Sequence, residues 1–313
     1  MINAGIMVSL VILFYFLGKS ADFVILSVKK IGHQFGIKIF FLGLILGFFT
    51  SLPELIIGIN ALVNNIQAIS LGNLMGGIIV LLGLILGASL IAERKIATDG
   101  KISRFLPLLI YLVLPFLFSL DSKLSGIDGV ILLAAYVFLI QRLYHQNRNS
   151  EKVILRLSKS QIFKEFSSMF LGIIALAVFA NIIIRLTLIL LGDFNVSIFA
   201  VGAALFAIGT NLPEIIVVFR SWRRNLKELS ISSLLGSALA NPAIIGVFAL
   251  IKPIYLKTDL FYFLLMTFTL VLLGFLLYFY ETGRALTRRE GIFLVSIYAL
   301  FLLTQVLFLA FIK

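Results

Sequence analysis

The chain contains no cysteine and only one tryptophan, and charged residues make up only 13% of its 313 positions. Without cysteine it can form neither disulfides nor a thiolate metal site. Charged residues occur at about half the frequency of a soluble domain, while 61% of the residues are hydrophobic. Thirty phenylalanines against the single tryptophan suit helices that face lipid. The composition therefore excludes an ordinary soluble domain and favours a membrane protein.

Long apolar runs recur along most of the chain, and each can cross a bilayer of about 30 Å. The first run lacks the basic start of a signal peptide, so we interpret it as a span. The pattern predicts an all-α polytopic membrane protein with ten transmembrane helices, at 3–28, 37–60, 68–91, 105–120, 125–141, 166–191, 197–219, 229–251, 259–280 and 291–312.

Basic residues sort to one side of this predicted topology. Five alternate connections hold 20 of the 26 lysines and arginines. The positive-inside rule places those connections in the cytoplasm, with both termini outside. We expect an integral protein of the plasma or inner membrane of a prokaryote. The basic residues are spread over several short loops, so the bilayer is a better partner than nucleic acid. The sequence leaves the oligomeric state open and is compatible with a monomer.

A sequence motif occurs twice at a constant offset. "TSLPE" at 50–54 matches "TNLPE" at 210–214, and "NLMGG" at 73–77 matches "SLLGS" at 233–237. Every match is 160 positions apart, which indicates an internal duplication. Each half holds five spans, and because five is odd the second half is inverted. Inverted repeats with a binding site near the midplane are typical of secondary transporters.

The predicted organisation follows from this duplication. Residues 1–141 form the first five-helix repeat, 142–165 form a cytoplasmic linker, and 166–313 form the second, inverted repeat. The linker could form a short interfacial helix, although a solvated connector is the simpler interpretation.

Both motifs place a proline and a glutamate inside an apolar run. Proline has no N–H and breaks a helix, so main-chain carbonyls there need other partners. Carboxylate, hydroxyl, amide and carbonyl oxygens suit hard cations such as Na⁺ and Ca²⁺. A helix-capping box formed by Ser51 and Glu54 is the alternative, but a glutamate in the bilayer costs about 2.5 to 3.5 kcal/mol. The candidate ligands are Thr50, Ser51, Glu54, Thr210, Asn211 and Glu214.

The span after each motif is rich in small residues. Ser237 and Asn241 are four positions apart on one helical face and are polar inside an apolar run, so both are candidate ligands. Asn73 is either a ligand or a bridge between helices. Close helix packing is the alternative role for the glycines, which are Gly72, Gly76, Gly77 and Gly236.

The sequence offers no catalytic machinery. No nucleophile–base pair, phosphate-binding loop or metalloprotease motif occurs in any span, so we predict no enzyme, no catalytic residue and no organic cofactor. Asp22 follows Lys19 by three positions in the first span. A local ion pair between them, or snorkelling of the side chains to the membrane interface, is the ordinary explanation, and a role in ion access is the alternative.

The two motifs and their surroundings resemble the calcium/cation antiporter superfamily, particularly its sodium/calcium exchanger branch. That family's repeats read approximately G-T-S-L-P-E, followed by G-N-x-x-G-S-N-I-F-N in the first copy and G-N-x-x-G-S-N-I-F-D in the second. Here the first copy reads "FTSLPE" and "GNLMGGIIVL", and the second reads "GTNLPE" and "SSLLGSALAN". The first span's "GKSADFVILSVKKIG" also resembles the family, so the likeness covers the whole chain.

The resemblance implies a cation site between the second, third, seventh and eighth spans. Glu54 and Glu214 become its central carboxylates, and Gly47 and Ala207 become main-chain carbonyl ligands. It also implies a secondary active antiporter that exchanges a divalent cation, Ca²⁺ first among the candidates, for Na⁺. The first and sixth spans would move across the rest to alternate access.

Four departures from the family pattern qualify this expectation. Gly77 and Leu81 stand where the first repeat should supply serine and asparagine, Asn211 replaces a serine, and Asn241 replaces an aspartate. Fewer ion sites are therefore expected than in a full exchanger. An H⁺-coupled or monovalent-cation antiporter, or a cation channel, remains an alternative.

Overall fold

The structure is a computed structural model that describes residues 2–35, 38–63, 65, 67–98, 100–146, 158–191, 202–203, 207–224, 226–282 and 285–311. The centre of the predicted linker, 147–157, lies outside the described residues, as do 197–201 and 204–206 of the predicted seventh span.

Helices dominate the described part of the chain. The α-helices are α1 (Ile2–Phe35), α2 (Ile39–Thr50), α3 (Leu52–Val63), α4 (Gln67–Ile79), α5 (Leu86–Glu93), α6 (Ile102–Phe118), α7 (Gly126–Gln146), α8 (Lys159–Leu191), α9 (Ala207–Thr210), α10 (Leu212–Arg223), α11 (Lys227–Ile251), α12 (Leu260–Thr282) and α13 (Arg288–Phe311). A π-helix, Val80–Ile85, joins α4 to α5. The strands are β1 (Lys95–Ala97), β2 (Lys123–Leu124), β3 (Ile254–Tyr255) and β4 (Ala285–Thr287).

Each of the ten predicted spans coincides, in its described part, with one helix or with consecutive helices. The all-α polytopic membrane fold is therefore confirmed. Six helices in the described residues are long and apolar enough by themselves to cross a membrane. They are Val8–Gly32, Gln67–Glu93, Gly126–Gln146, Lys159–Phe179, Lys227–Ile251 and Leu260–Thr282.

The helices fall into two compact units that do not follow the predicted halves. The first unit comprises Met1–Pro53, Tyr144–Asn195 and Gly209–Ser237. The second comprises Glu54–Leu143, Val196–Ile208 and Ala238–Lys313. Each unit draws segments from both halves of the sequence, and the division into two inverted repeats stays a prediction.

The core of the first unit forms where α1 packs along α8. Leu17, Ala21 and Val24 recur at helical spacing on one face of α1 and are fully buried. They share a hydrophobic cluster with Leu176 of α8. Outside this core, Lys30 forms an ion pair of 2.7 Å with Glu165 of α8. The amphipathic pattern of α1 therefore fixes which face meets α8.

The second unit has features that periodicity did not predict. Strand β1 pairs antiparallel with β4, and β2 pairs antiparallel with β3, so the ends of helices distant in sequence are joined. The prolines of α6, Pro107 and Pro115, and Pro242 of α11 lie inside continuous helices. A proline alone therefore does not interrupt a helix in this protein.

Candidate cation-binding site

The two repeated motifs interrupt their helices at equivalent residues. Helix α2 gives way to α3 at Ser51, which has φ −82° and ψ 8°. Helix α9 gives way to α10 at Asn211, which has φ −83° and ψ 9°. The two breaks are 160 positions apart and share one backbone geometry. The prediction of a broken helix in each copy is confirmed.

In the first unit, hydroxyl groups surround the main-chain oxygen of Gly47. Thr50 and Ser51 each donate a hydrogen bond to it from their hydroxyls over 3.1 Å. Ser237 of α11 donates to the same oxygen over 3.0 Å. Because the main-chain N–H of Ser51 also donates to it over 3.2 Å, the carbonyl of Gly47 is the centre of a polar cluster.

Ser237 connects this cluster to a buried carboxylate. Its hydroxyl lies 3.3 Å from Oε1 of Glu214 and 3.4 Å from the hydroxyl of Thr50. A serine has a single hydroxyl proton, so it cannot donate to Gly47 and to Glu214 at once. Glu214 is only 2% exposed. The cluster thus gathers carboxylate, hydroxyl and carbonyl oxygens away from solvent. This set of oxygen ligands suits a hard cation.

Glycines allow α2 and α11 to approach closely enough to form this cluster. A Cβ on Gly236 would lie 2.5 Å from the main-chain oxygen of Leu44, and one on Gly47 would meet the main-chain oxygen of Ser233. Close packing, proposed as the ordinary role of Gly236, is therefore present. It serves the site as well, because it brings Ser237 against the oxygen of Gly47.

The remaining candidates of the first unit are buried at the second break. Thr210 is fully buried and Asn211 is 1% exposed. Asn211 occupies the N-cap position of α10, yet its side chain makes no capping hydrogen bond. Asn211 therefore does not cap α10 through its side chain.

The second unit holds Glu54, Ala207 and Asn241. Glu54 and Asn241 are each 1% exposed, and Ala207 is fully buried. The amide nitrogen of Asn241 donates to the main-chain oxygen of Leu74 over 3.0 Å. Only the amide oxygen of Asn241 is therefore suited to a cation.

The π-helix coincides with one of the departures from the family pattern. Leu81 is fully buried within it, where the family pattern has asparagine. Gly77 is buried in the preceding α4. Neither side chain offers an oxygen ligand, as the sequence indicated.

Asp22 has different partners from the one expected. Its carboxylate forms ion pairs of 3.5 Å with Arg220 and 3.3 Å with Arg224. Lys19, the predicted partner, lies over the ring of Tyr15. The Arg224 contact spans 202 positions, and no local pattern could have indicated it. Asp22 therefore joins α1 to the helix that carries Glu214.

A helical membrane protein with two proline-broken motifs, each supplying a buried carboxylate and hydroxyls, falls in the class of secondary transporters. The chain belongs to the sodium/calcium exchanger protein family, whose model matches residues 5–144 and 164–307. Membership of this family of transporters supports cation antiporter activity.

Two relatives match nearly the whole chain, and a third matches about three quarters of it. Membrane protein MJ0091 of Methanocaldococcus jannaschii is 27% identical over 93% of this chain and 94% of its own length. Sodium/calcium exchanger MaX1 of Methanosarcina acetivorans is 27% identical over 92% of this chain and 94% of its own. Inner membrane protein YrbG of Escherichia coli is 25% identical over 75% of this chain and 76% of its own length.

Solved structures show the same fold. The sodium-calcium exchanger NCX_Mj, soaked with Na⁺ and Sr²⁺, matches with a TM-score of 0.77 at 23% identity, covering 96% of this chain and 97% of that one. The same exchanger soaked with Na⁺ and Ca²⁺ gives a TM-score of 0.75 at 23% identity, with the same coverage. At this identity the likeness concerns the fold alone.

Proposed function

We propose that this protein exchanges a divalent cation, Ca²⁺ first among the candidates, for Na⁺ by alternating access. The observation that carries the proposal is the oxygen cluster of Glu214, Ser237, Thr50 and Gly47. Its oxygen ligands are of the kind that Ca²⁺ and Na⁺ prefer. MaX1 and NCX_Mj are both described as sodium/calcium exchangers, which supports the same substrates.

All ten candidate residues enter the proposal as cation ligands. Within the first unit these are Gly47, Thr50, Ser51, Thr210, Asn211, Glu214 and Ser237, and within the second they are Glu54, Ala207 and Asn241. The sequence prediction that both glutamates bind the same ion stays a prediction.

Charge sets the expected stoichiometry. Two glutamates lie in the predicted ion-binding spans, and two negative charges balance one divalent cation, two Na⁺ or two protons. An unbalanced charge in a low-dielectric site is costly. We therefore expect one divalent cation to exchange for about two monovalent ions, with little net charge moved. A steep dependence of the transport rate on membrane potential would contradict this.

H⁺ coupling is the second candidate. It is favoured by the lost ligands at Gly77 and Leu81, because fewer oxygens remain to hold several Na⁺ ions. A cation channel is a weaker alternative, since broken helices in an inverted repeat favour alternating access. Single-channel currents through the purified protein would favour the channel.

The experiment is uptake of radioactive calcium into liposomes that contain the purified protein. One batch is loaded with Na⁺, a second carries only a proton gradient, and a third has no gradient. Uptake driven by internal Na⁺ supports Na⁺ coupling, and uptake driven only by the proton gradient supports the second candidate. If neither gradient drives calcium uptake, Ca²⁺ antiport is refuted.

We also propose that the protein is inserted with both termini outside and its basic connections in the cytoplasm. The chain has no native cysteine. A single cysteine introduced near either terminus should therefore react with an impermeant thiol reagent added to intact cells, and one introduced in a basic connection should not. The reverse labelling would overturn this orientation.

A further inference from the structure

Two buried serines near the basic end of the first unit have no hydrogen-bond partner among the described residues. They are Ser221 of α10 and Ser230 of α11, both fully buried. The other serines in the first unit's part of α11 do form hydrogen bonds. Their hydroxyls donate to main-chain oxygens: Ser232 to that of Glu228, Ser233 to that of Ser230, and Ser237 to that of Gly47. A buried hydroxyl without a partner costs about 1 to 3 kcal/mol. Ser230 is therefore unusual among the serines of its own helix.

The register of the two helices brings these serines to the same level. Helix α10 ends at Arg223 and α11 begins at Lys227, and Ser237 of α11 lies 3.3 Å from Glu214 of α10. We infer from this contact and the short connection that the two helices run antiparallel. Ser221 lies seven residues after Glu214, and Ser230 lies seven residues before Ser237. Seven residues are two helical turns, so each serine lies on the same face as its partner in the site, about 10 Å along the axis.

Hydrogen bonds at the connection support this register. The main-chain N–H of Leu226 donates to the oxygen of Ser221 over 2.9 Å, and that of Ser230 donates to the oxygen of Leu226 over 3.1 Å. Each serine lies within one turn of the end of its helix, Ser221 before Arg223 and Ser230 after Lys227. The basic side chains at this end include Arg220 and Arg224, both of which pair with Asp22.

We propose that Ser221 and Ser230 form a hydrated step through which a small hard cation passes between Glu214 and the basic end of the helices. Two hydroxyls provide lone pairs to a partly hydrated cation and can hydrogen-bond its remaining water. The step rests on the proposed cation transport. It belongs to the second repeat only, because the position that matches Ser221 in the first repeat is Ala61.

The absence of native cysteine allows a direct test of hydration. Cysteine is nearly isosteric with serine. The variants Ser221→Cys and Ser230→Cys are therefore treated with a cationic methanethiosulfonate reagent. The control is Leu229→Cys, which is next to Ser230 in sequence but lies in the hydrophobic cluster of α1 and α8. We expect both serine-site variants to react at least about tenfold faster than the control. Equal and negligible reactivity at all three positions would overturn the proposal.

A second arm measures function. In a dry site, removing unpartnered hydroxyls leaves transport unchanged and raises thermal stability. In a hydrated step, the double variant Ser221→Ala, Ser230→Ala slows cation exchange about tenfold without lowering the melting temperature. Unchanged exchange with a higher melting temperature would overturn the proposal. If the wild-type protein exchanges no cation, the proposed function fails, while the labelling result still decides whether the step is hydrated.

Discussion

The hydroxyl of Ser237 lies 3.0 Å from the main-chain oxygen of Gly47, although the two residues are 190 positions apart. The same hydroxyl lies 3.3 Å from the carboxylate of Glu214. One serine thus links the first broken helix to the acid of the second motif. The three groups belong to one compact unit, and their arrangement leads to the first prediction.

Replacing Ser237 with alanine should weaken cation binding with little effect on the fold. The substitution removes one oxygen beside Glu214, and a hydrogen bond to a charged group contributes about 1.5 to 3 kcal/mol. We expect the dissociation constant for Ca²⁺ to rise at least about tenfold. The measurement is the Ca²⁺-dependent rise in melting temperature, which reports ligand affinity for the folded state.

The matched control for that prediction is Ser232→Ala. Ser232 is equally buried on the same helix, but its hydroxyl bonds to carbonyls of its own helix, the shorter bond being 2.6 Å to Glu228. Removing this hydroxyl should leave the Ca²⁺-dependent rise in melting temperature unchanged. If both variants respond to Ca²⁺ as the wild type does, Ser237 is not a ligand.

Gly236→Ala should destabilise the first unit. The new Cβ would lie 2.5 Å from the main-chain oxygen of Leu44, and a backbone atom cannot move aside cheaply. Overpacking of this kind costs about 1 to 3 kcal/mol. Thermal unfolding in detergent measures the loss, with Gly274→Ala as control because nothing lies within 4 Å of a Cβ there. The control should gain about 0.5 to 1 kcal/mol, and equal melting temperatures would contradict the packing argument.

Asn241→Asp should make the stability of the protein depend on a divalent cation. The aspartate cannot donate to the oxygen of Leu74, so a buried acceptor loses its partner at a cost of about 1 to 3 kcal/mol. The added negative charge should in turn strengthen Ca²⁺ binding. We expect a lower melting temperature without Ca²⁺ and a larger rise with Ca²⁺ than in the wild type. A variant with the wild-type response to Ca²⁺ would exclude Asn241 from the cation's surroundings.

Protons should compete with the transported cations. A proton on Glu54 or Glu214 occupies an oxygen that would otherwise bind the ion and removes the charge that attracts it. The apparent Ca²⁺ affinity should therefore fall as the pH is lowered, and excess Ca²⁺ should restore the maximal rate. Initial rates of uptake at several pH values and Ca²⁺ concentrations test this. A fall in the maximal rate that Ca²⁺ cannot reverse would contradict simple competition.

The sequence predicted features whose cause is local. Breaks at Ser51 and Asn211 follow from a proline two positions later together with nearby polar side chains, and both are present. Pro242, which lacks the complete motif, lies in an unbroken α11, so the motif and not the proline alone marks the break. The ten spans were likewise predictable, because the bilayer fixes the length of each apolar run.

Features that depend on tertiary contacts could not be predicted. Asp22 pairs with Arg220 and Arg224, which meet it only because α1 packs beside α10. The hydroxyl of Ser237 can reach its acceptors for a similar reason. Because Gly236 has no side chain, α11 can approach α2 closely. Hydropathy and spacing describe each helix separately and contain no information on such pairs.

The central claim is that buried glutamates bind the transported cations, and transport by glutamine variants tests it most directly. Glu54→Gln and Glu214→Gln keep the shape of the side chain and remove its charge. Calcium uptake into Na⁺-loaded liposomes is compared for both variants, the wild type and Glu281→Gln, a control at an exposed carboxylate. The account predicts that both buried-site variants fold, shown by a cooperative melting transition, yet exchange no divalent cation, while the control retains wild-type uptake. Near-normal uptake by either buried-site variant would contradict it.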